Sequence, residues 1–70
     1  MQKIEIKPPF IKLEQFLKLA SLTGSGGEAK VLIQNGQVSV NDEICTMRGK
    51  KLFGGEVIKY ENEFYEVIVK

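Results

Sequence analysis

The most constraining feature of the sequence is the stretch over residues 25–41, which carries both a start signal and a stop signal for one helix. Ser25 is a typical N-cap residue, and Glu28 three positions later completes a capping box. The apolar stripe at helical spacing consists of Ala29, Leu32, Ile33 and Gly36. Because glycine readily takes the left-handed position after a helix, this stretch predicts a helix that ends near Gly36 and leads into a strand over residues 37–40.

Two glycines stand at the start of this predicted helix, although glycine is a poor helix former. Gly26 and Gly27 directly follow the N-cap serine. One explanation is close approach of a ligand to their backbone, and the other is a close contact between two helices. The sequence favours neither explanation over the other.

The other predicted elements are a strand, a helix and two hairpins. A strand is predicted over residues 2–7, where Pro8 and Pro9 stop it, and a helix over residues 10–22. The apolar stripe of that helix is Leu13, Phe16, Leu17 and Ala20. We expect it to end near residues 23–24, with Gly24 in the left-handed position. Two hairpins follow, one over residues 37–46 around an Asn41-Asp42 turn and one over residues 57–69.

The size and composition of the chain limit its function. Seventy residues make a single domain over residues 1–70, with one small core and no deep substrate cavity. There is no histidine and only one cysteine, so an intramolecular disulfide and a Cys/His zinc site are excluded. No metal or cofactor is predicted. Because no long apolar run marks a signal peptide or membrane span, we expect a cytoplasmic protein without a membrane partner.

Charge is unevenly distributed along the chain, although the net charge is only +1. Residues 1–53 contain eight basic and five acidic residues, whereas residues 54–70 contain two basic and four acidic residues. Such an asymmetry can create a cationic patch on a nearly neutral protein. An ordinary solvated surface explains the same numbers.

An ordered set of residues over positions 12–58 resembles a known family. The residues are Lys12-Leu13-Glu14-Gln15-Phe16-Leu17, Ser25, Ala29-Lys30, Ile33-Gln34-Asn35-Gly36-Gln37-Val38-Ser39-Val40-Asn41, Arg48 and Gly55-Glu56-Val57-Ile58. Together they resemble the S-four RNA-binding domain, also called the αL motif. With the flanking strand and hairpin, the chain is similar to the stand-alone bacterial members of the YaaA/YbcJ type.

The chain departs from the family pattern at three positions. Gly26 stands where many members have arginine, so one expected phosphate contact is missing. Asp42 replaces a glycine and still allows a turn, because aspartate tolerates the left-handed region. Glu56 replaces aspartate.

The resemblance implies an α+β αL-motif fold, with two packed helices against a small, mostly antiparallel sheet. It also implies an RNA-facing surface made of the second helix, the loop after it and the hairpin. The residues predicted to bind RNA are Lys12, Ser25, Gly26, Gly27, Lys30, Gln34, Asn41, Arg48, Lys50 and Lys51. The helix-start amides can donate to a phosphate, and arginine and lysine supply cations.

No aromatic residue is expected to be free for stacking on bases. Phe16 belongs to a core stripe, and Phe53, Tyr60 and Phe64 lie in strand patterns. We therefore expect recognition of structured RNA through backbone shape rather than recognition of single strands. The resemblance implies ribosomal RNA, a role in ribosome assembly or translation, and ribosomal proteins as further partners, while nothing demands more than a monomer.

Two other function classes stay open at the level of sequence. A protein-interaction adaptor is the main alternative, since an acidic hairpin over residues 61–66 and exposed strand ends can dock a ribosomal or replication protein by strand addition. An enzyme is the weakest hypothesis, because no pair of groups suited to acid–base or nucleophilic chemistry is apparent. DNA is not distinguished from RNA by backbone contacts alone.

Overall fold

The computed structural model describes residues 1–70 and packs two helices against a five-stranded sheet. The helices are α1 (Leu13–Leu19) and α2 (Gly26–Gln34). The strands are β1 (Gln2–Ile6), β2 (Ile11–Lys12), β3 (Val38–Val40), β4 (Glu43–Ile44), β5 (Lys51–Leu52), β6 (Val57–Tyr60) and β7 (Glu63–Val69). Neither helix has the length and apolar character needed to cross a lipid bilayer.

The main sheet has the order β1-β7-β6-β3-β4. Only β1 and β7 are parallel, and all other neighbours are antiparallel, which confirms the predicted fold class. The pairing of β1 with β7 joins the first strand of the chain to the last. A second, two-stranded antiparallel sheet pairs β2 with β5.

One apolar core lies between the helices and the sheet. Its twelve residues are Ile6, Leu13, Phe16, Leu17, Ala29, Ile33, Val38, Val40, Leu52, Ile58, Tyr65 and Val67. Most of the predicted helical stripes are therefore buried, while Ala20 and Leu32 pack at the edge of the core. The alternation of buried and exposed side chains in β3 and β7 follows from the two-residue period of a strand.

The first helix is shorter than the predicted span over residues 10–22. It begins at Leu13, because Ile11 and Lys12 form the short strand β2 instead. Its C-terminal left-handed residue is Ser21, with φ of 61°, and not Gly24. The amide of Leu22 donates to the carbonyl of Leu17, which closes the last turn without a glycine.

The second helix ends as the sequence predicts. Gly36 has φ of 74°, and the amide of Gln37 donates to the carbonyl of Leu32. The following Asn41-Asp42 turn also matches the prediction, with φ of 51° and 70° at its two residues. Positive φ at both central positions belongs to the tight hairpin turns that suit the twist of paired strands.

Candidate nucleic-acid interface

Four predicted cations meet around the first turn of α1. The amide of Leu13 donates to the Lys50 carbonyl at 2.8 Å, and the amide of Glu14 donates to the Arg48 carbonyl at 3.1 Å. These two hydrogen bonds fix the loop between β4 and β5 against the helix. The register of the small sheet places Lys12 directly opposite Lys51. The basic cluster is Lys12, Arg48, Lys50 and Lys51, and all four residues are exposed.

The start of α1 does not itself offer free amides to an anion. Its first two amides bind the loop carbonyls described above. The Lys12 amide donates to Oε1 of Gln15 at 3.3 Å. An anion at this place would therefore have to be bound by side-chain cations, since the first two amides of the helix are already paired.

The start of α2 is different, because its first amides are free. Ser25 Oγ accepts from the Glu28 amide at 3.3 Å, which confirms the predicted N-cap. The Glu28 carboxylate accepts from the Gly24 amide at 3.1 Å, one residue earlier than a standard capping box requires. The amides of Gly26 and Gly27 have no acceptor among the hydrogen bonds of this turn. They stand at the positive end of the helix dipole.

The two glycines of this turn are not required by helix packing. A Cβ atom built at Gly26 would meet nothing within 4 Å, and one at Gly27 would meet only Ser25 Oγ at 3.8 Å. The explanation by a close contact between helices is therefore wrong. Open space over both residues is what a ligand approaching the backbone needs.

The remaining predicted residues of α2 run along one exposed side of the helix. Lys30 lies one turn after Gly26, and Gln34 lies one turn further at the C-terminal end. Because a helix rises 1.5 Å per residue, Gln34 is about 12 Å along the axis from Gly26. The structure thus places Lys30 nearer to the free amides than Gln34.

Asn41 has a structural contact that the sequence did not predict. Its Oδ1 accepts from the Val57 amide at 2.9 Å, and its own amide donates to the Val57 carbonyl at 2.8 Å. These bonds tie the β3–β4 turn to β6. Asn41 and Lys50 also line one groove of about 500 Å³. RNA binding by Asn41 stays a prediction that uses only its remaining amide NH₂ group.

Two carboxylates border the same groove and shape its charge. Glu43 and Glu56 both line it. The Glu56 oxygens accept from the amides of Phe53 at 2.8 Å and Gly54 at 2.7 Å. These bonds hold Glu56 in the turn but leave its negative charge in place, so both carboxylates would repel a phosphate here. The groove is a less favourable anion site than the basic cluster.

Sequence reasoning missed the exposed aromatic residues. Phe53 is 58% exposed and Phe64 is 40% exposed, so the expectation that no aromatic side chain is free was wrong. Phe53 directly follows the short strand β5, and Phe64 is the second residue of β7. The signal that could have found Phe53 is its spacing from Leu52, since a residue next to a buried strand position faces outward.

Two tyrosines in the main sheet carry no charge near neutral pH. Burial raises the pKa of Tyr60, and the nearby Glu61 carboxylate raises it further. Burial also raises the pKa of Tyr65, with added repulsion from Glu63. Their phenols are therefore neutral, and the charge of the candidate interface comes from its lysine and arginine side chains.

The predicted site residues fall into three groups. The first is the basic cluster, the second is Ser25, Gly26, Gly27, Lys30 and Gln34 on α2, and the third is Asn41 in the β3–β4 turn. Packing of α1 against α2 connects the first two groups, and the groove at Lys50 connects the first with the third. The structure gives no direct contact between the basic cluster and the start of α2.

Comparisons with known proteins agree on one family for this chain. The model of the S4 domain family, which is the S-four family of the sequence resemblance, matches residues 4–68. A Bacillus subtilis protein named as a probable ribosome maturation protein, RlbA, is 47% identical over 58 residues, covering 83% of this chain and 82% of the relative. YbcJ of Escherichia coli, whose name marks it as a candidate RNA-binding protein, is 31% identical over 62 residues, 89% of each chain.

A solved structure shares the fold. The solution structure of YbcJ from Escherichia coli superimposes with a TM-score of 0.74 at 29% sequence identity. The match covers 97% of this chain and 87% of the other. That structure is described as revealing an αL motif involved in RNA binding.

Proposed function

The chain belongs to the S4 domain family, and on that basis we propose that it binds structured RNA through phosphate contacts and catalyses no reaction. The whole chain acts as one binding unit. The name of the Bacillus subtilis relative supports ribosome maturation as the process. We take ribosomal RNA as the target because it is the RNA of that process. A cytoplasmic location and a monomeric state complete the proposal.

The observation that supports this function best is the way the basic cluster is held. The loop of Arg48 and Lys50 is anchored to α1 by backbone hydrogen bonds of 3.1 and 2.8 Å. Lys12 and Lys51 are anchored by the pairing of β2 with β5. Cations held on fixed backbone lose less entropy when they bind phosphates than cations on a mobile loop. The arrangement therefore favours a preformed anion surface over a merely solvated one.

The free amides of α2 provide a second kind of phosphate contact. Gly26 and Gly27 offer N–H groups in open space at a helix N-terminus, and Lys30 adds a cation one turn later. Backbone amides and cations read phosphate position rather than base identity. Recognition of the shape of a folded RNA follows from this composition.

The proposal is tested by filter binding with folded fragments of ribosomal RNA and single-site alanine variants. Lys12→Ala, Arg48→Ala and Lys51→Ala each remove one cation, and each is expected to weaken binding by about three- to tenfold, the effect of about 1 kcal/mol. Matched controls are Lys3→Ala on β1 and Lys70→Ala, which remove the same charge outside the basic cluster. They are expected to leave affinity within about twofold.

Two results contradict the proposal. Absence of RNA binding by the unaltered protein would reject the function itself. Equal losses from the cluster variants and the two controls would show that net charge, and not the anchored cluster, produces the binding.

A further inference from the structure

The small sheet β2–β5 presents two aromatic and two cationic residues on one face. Phe10-Ile11-Lys12 and Lys51-Leu52-Phe53 run antiparallel, with Ile11 opposite Leu52 and Lys12 opposite Lys51. Leu52 is fully buried, so its strand neighbours Lys51 and Phe53 face the other way. The rings of Phe10 and Phe53 are 5.8 Å apart in an edge-to-face arrangement.

The residues on this face lower the stability of the free protein. Two lysines stand directly opposite each other, and like charges in that position destabilise a strand pair. Phe53 leaves 58% of its surface in water. The Nζ atom of Lys51 lies 4.9 Å from the centre of the Phe10 ring, which offsets only part of this cost.

Phe53 is nevertheless held in a fixed position. Its amide donates to the Glu56 carboxylate at 2.8 Å, and the next amide, of Gly54, donates to the same carboxylate. Gly54 has φ of 126°, and a Cβ atom there would lie 2.6 Å from Val69 Cγ2. The backbone of Phe53 is therefore fixed by a turn that is packed against β7, while the ring contacts Phe10 and leaves more than half of the residue's surface open to a flat ligand.

We propose that Phe53 is a stacking platform for one unpaired base of the bound RNA, with Lys12 and Lys51 on the flanking phosphates. This proposal rests on the proposed RNA-binding function and adds to it the kind of RNA that fits best, a folded RNA with a bulged or looped-out nucleotide. Lys51 and Phe53 are about 6.6 Å apart along the strand direction, a separation that one nucleotide spans between base and phosphate. Every base has a flat face, so the contact does not select a sequence.

The test uses two RNA hairpins that differ only by a bulged 2-aminopurine, whose fluorescence falls when it stacks. The unaltered protein is expected to bind the bulged hairpin more tightly than the fully paired one and to quench the probe. Phe53→Leu keeps an apolar side chain but removes the aromatic face. It is expected to lower affinity for the bulged hairpin by about tenfold, as loss of base stacking does, and to leave the paired hairpin unchanged.

The chain offers a matched control in Phe64. This residue is also exposed, and it also has a lysine beside it, with Lys59 Nζ 5.6 Å from its ring centre. Phe64→Leu is expected to change neither affinity nor quenching. Phe53→Trp retains a flat ring and is expected to restore both, which separates stacking from a folding effect.

Four outcomes overturn the proposal. If Phe53→Leu and Phe64→Leu act alike, or if the bulge brings no gain in affinity, the platform is wrong while phosphate binding stands. If Phe53→Leu weakens both hairpins equally, the side chain supports the fold of the site and does not read a base. If neither hairpin binds at all, the proposed function itself fails.

Discussion

Thr23 is buried in the connection between α1 and α2, and its hydroxyl has no hydrogen-bond partner. A buried hydroxyl without a partner loses its hydration and gains nothing in return. Thr23→Val replaces the hydroxyl by a methyl group of similar size. We expect it to raise the free energy of unfolding by about 1 kcal/mol, measured by urea denaturation.

Thr46→Val is the control for this substitution, because Thr46 is exposed and the same change there should be nearly neutral. Destabilisation by Thr23→Val would show that the hydroxyl does have a partner, and the environment of the interhelical connection would need revision.

The residues in the left-handed conformation show how far the backbone conformation of a single residue can be predicted from the sequence. Gly36 follows an apolar stripe, and its place at the end of α2 is predictable because glycine carries no steric penalty there. Ser21 takes the same conformation although serine is disfavoured. The Leu22 amide closes the helix on the Leu17 carbonyl, and Leu17 and Thr23 are buried on either side of Ser21. Local propensity points to Gly24 instead, and tertiary packing overrides it.

At the scale of elements, the first turn of α2 combines poor helix formers with open surroundings. We expect the double variant Gly26→Ala, Gly27→Ala to be more stable by about 0.5–1 kcal/mol, since alanine favours the helix. Its affinity for folded RNA is expected to fall by about tenfold, because the new methyl groups stand over the free amides. Thermal unfolding and filter binding measure the two effects.

Val31→Ala on the exposed side of α2 is the matched control. It also raises helix propensity but adds no atom near the first turn, and RNA affinity should stay the same. A double glycine variant that binds RNA as well as the unaltered protein would show that these amides do not contact phosphate.

The small sheet β2–β5 could not be predicted from the periodicity of the sequence. Each strand has two residues, which is too short for an alternating pattern to stand out. Ile11 also fits the helical pattern that continues into α1. What decides the conformation is a nonlocal event, the pairing of Ile11 with Leu52. Residues 10–12 and 51–53 have the same order of residue types in opposite directions, an aromatic, an aliphatic and a lysine. That their aromatic residues and lysines share one face can be recognised only once the pairing is known.

At the scale of the whole molecule, the topology brings together cations that are far apart in sequence. Lys12 and the residues 48–51 meet because α1 amides bind loop carbonyls and β2 pairs with β5. The two helices, the two hairpins of the main sheet and the fold class are predictable from the sequence, because they depend on local patterns and on a family motif. The edge-to-face pair of Phe10 and Phe53 and the parallel pairing of β1 with β7 are not, because they depend on contacts across the chain.

The most direct test of this account is the salt dependence of RNA affinity. If four to five phosphates are neutralised, a plot of log K against log salt for a largely helical RNA should have a slope of about −4. The triple variant Lys12→Ala, Arg48→Ala, Lys51→Ala should retain its fold and show a slope closer to about −1. An unchanged slope in the triple variant, or a slope near zero in the unaltered protein, would contradict a phosphate-binding surface built on the basic cluster.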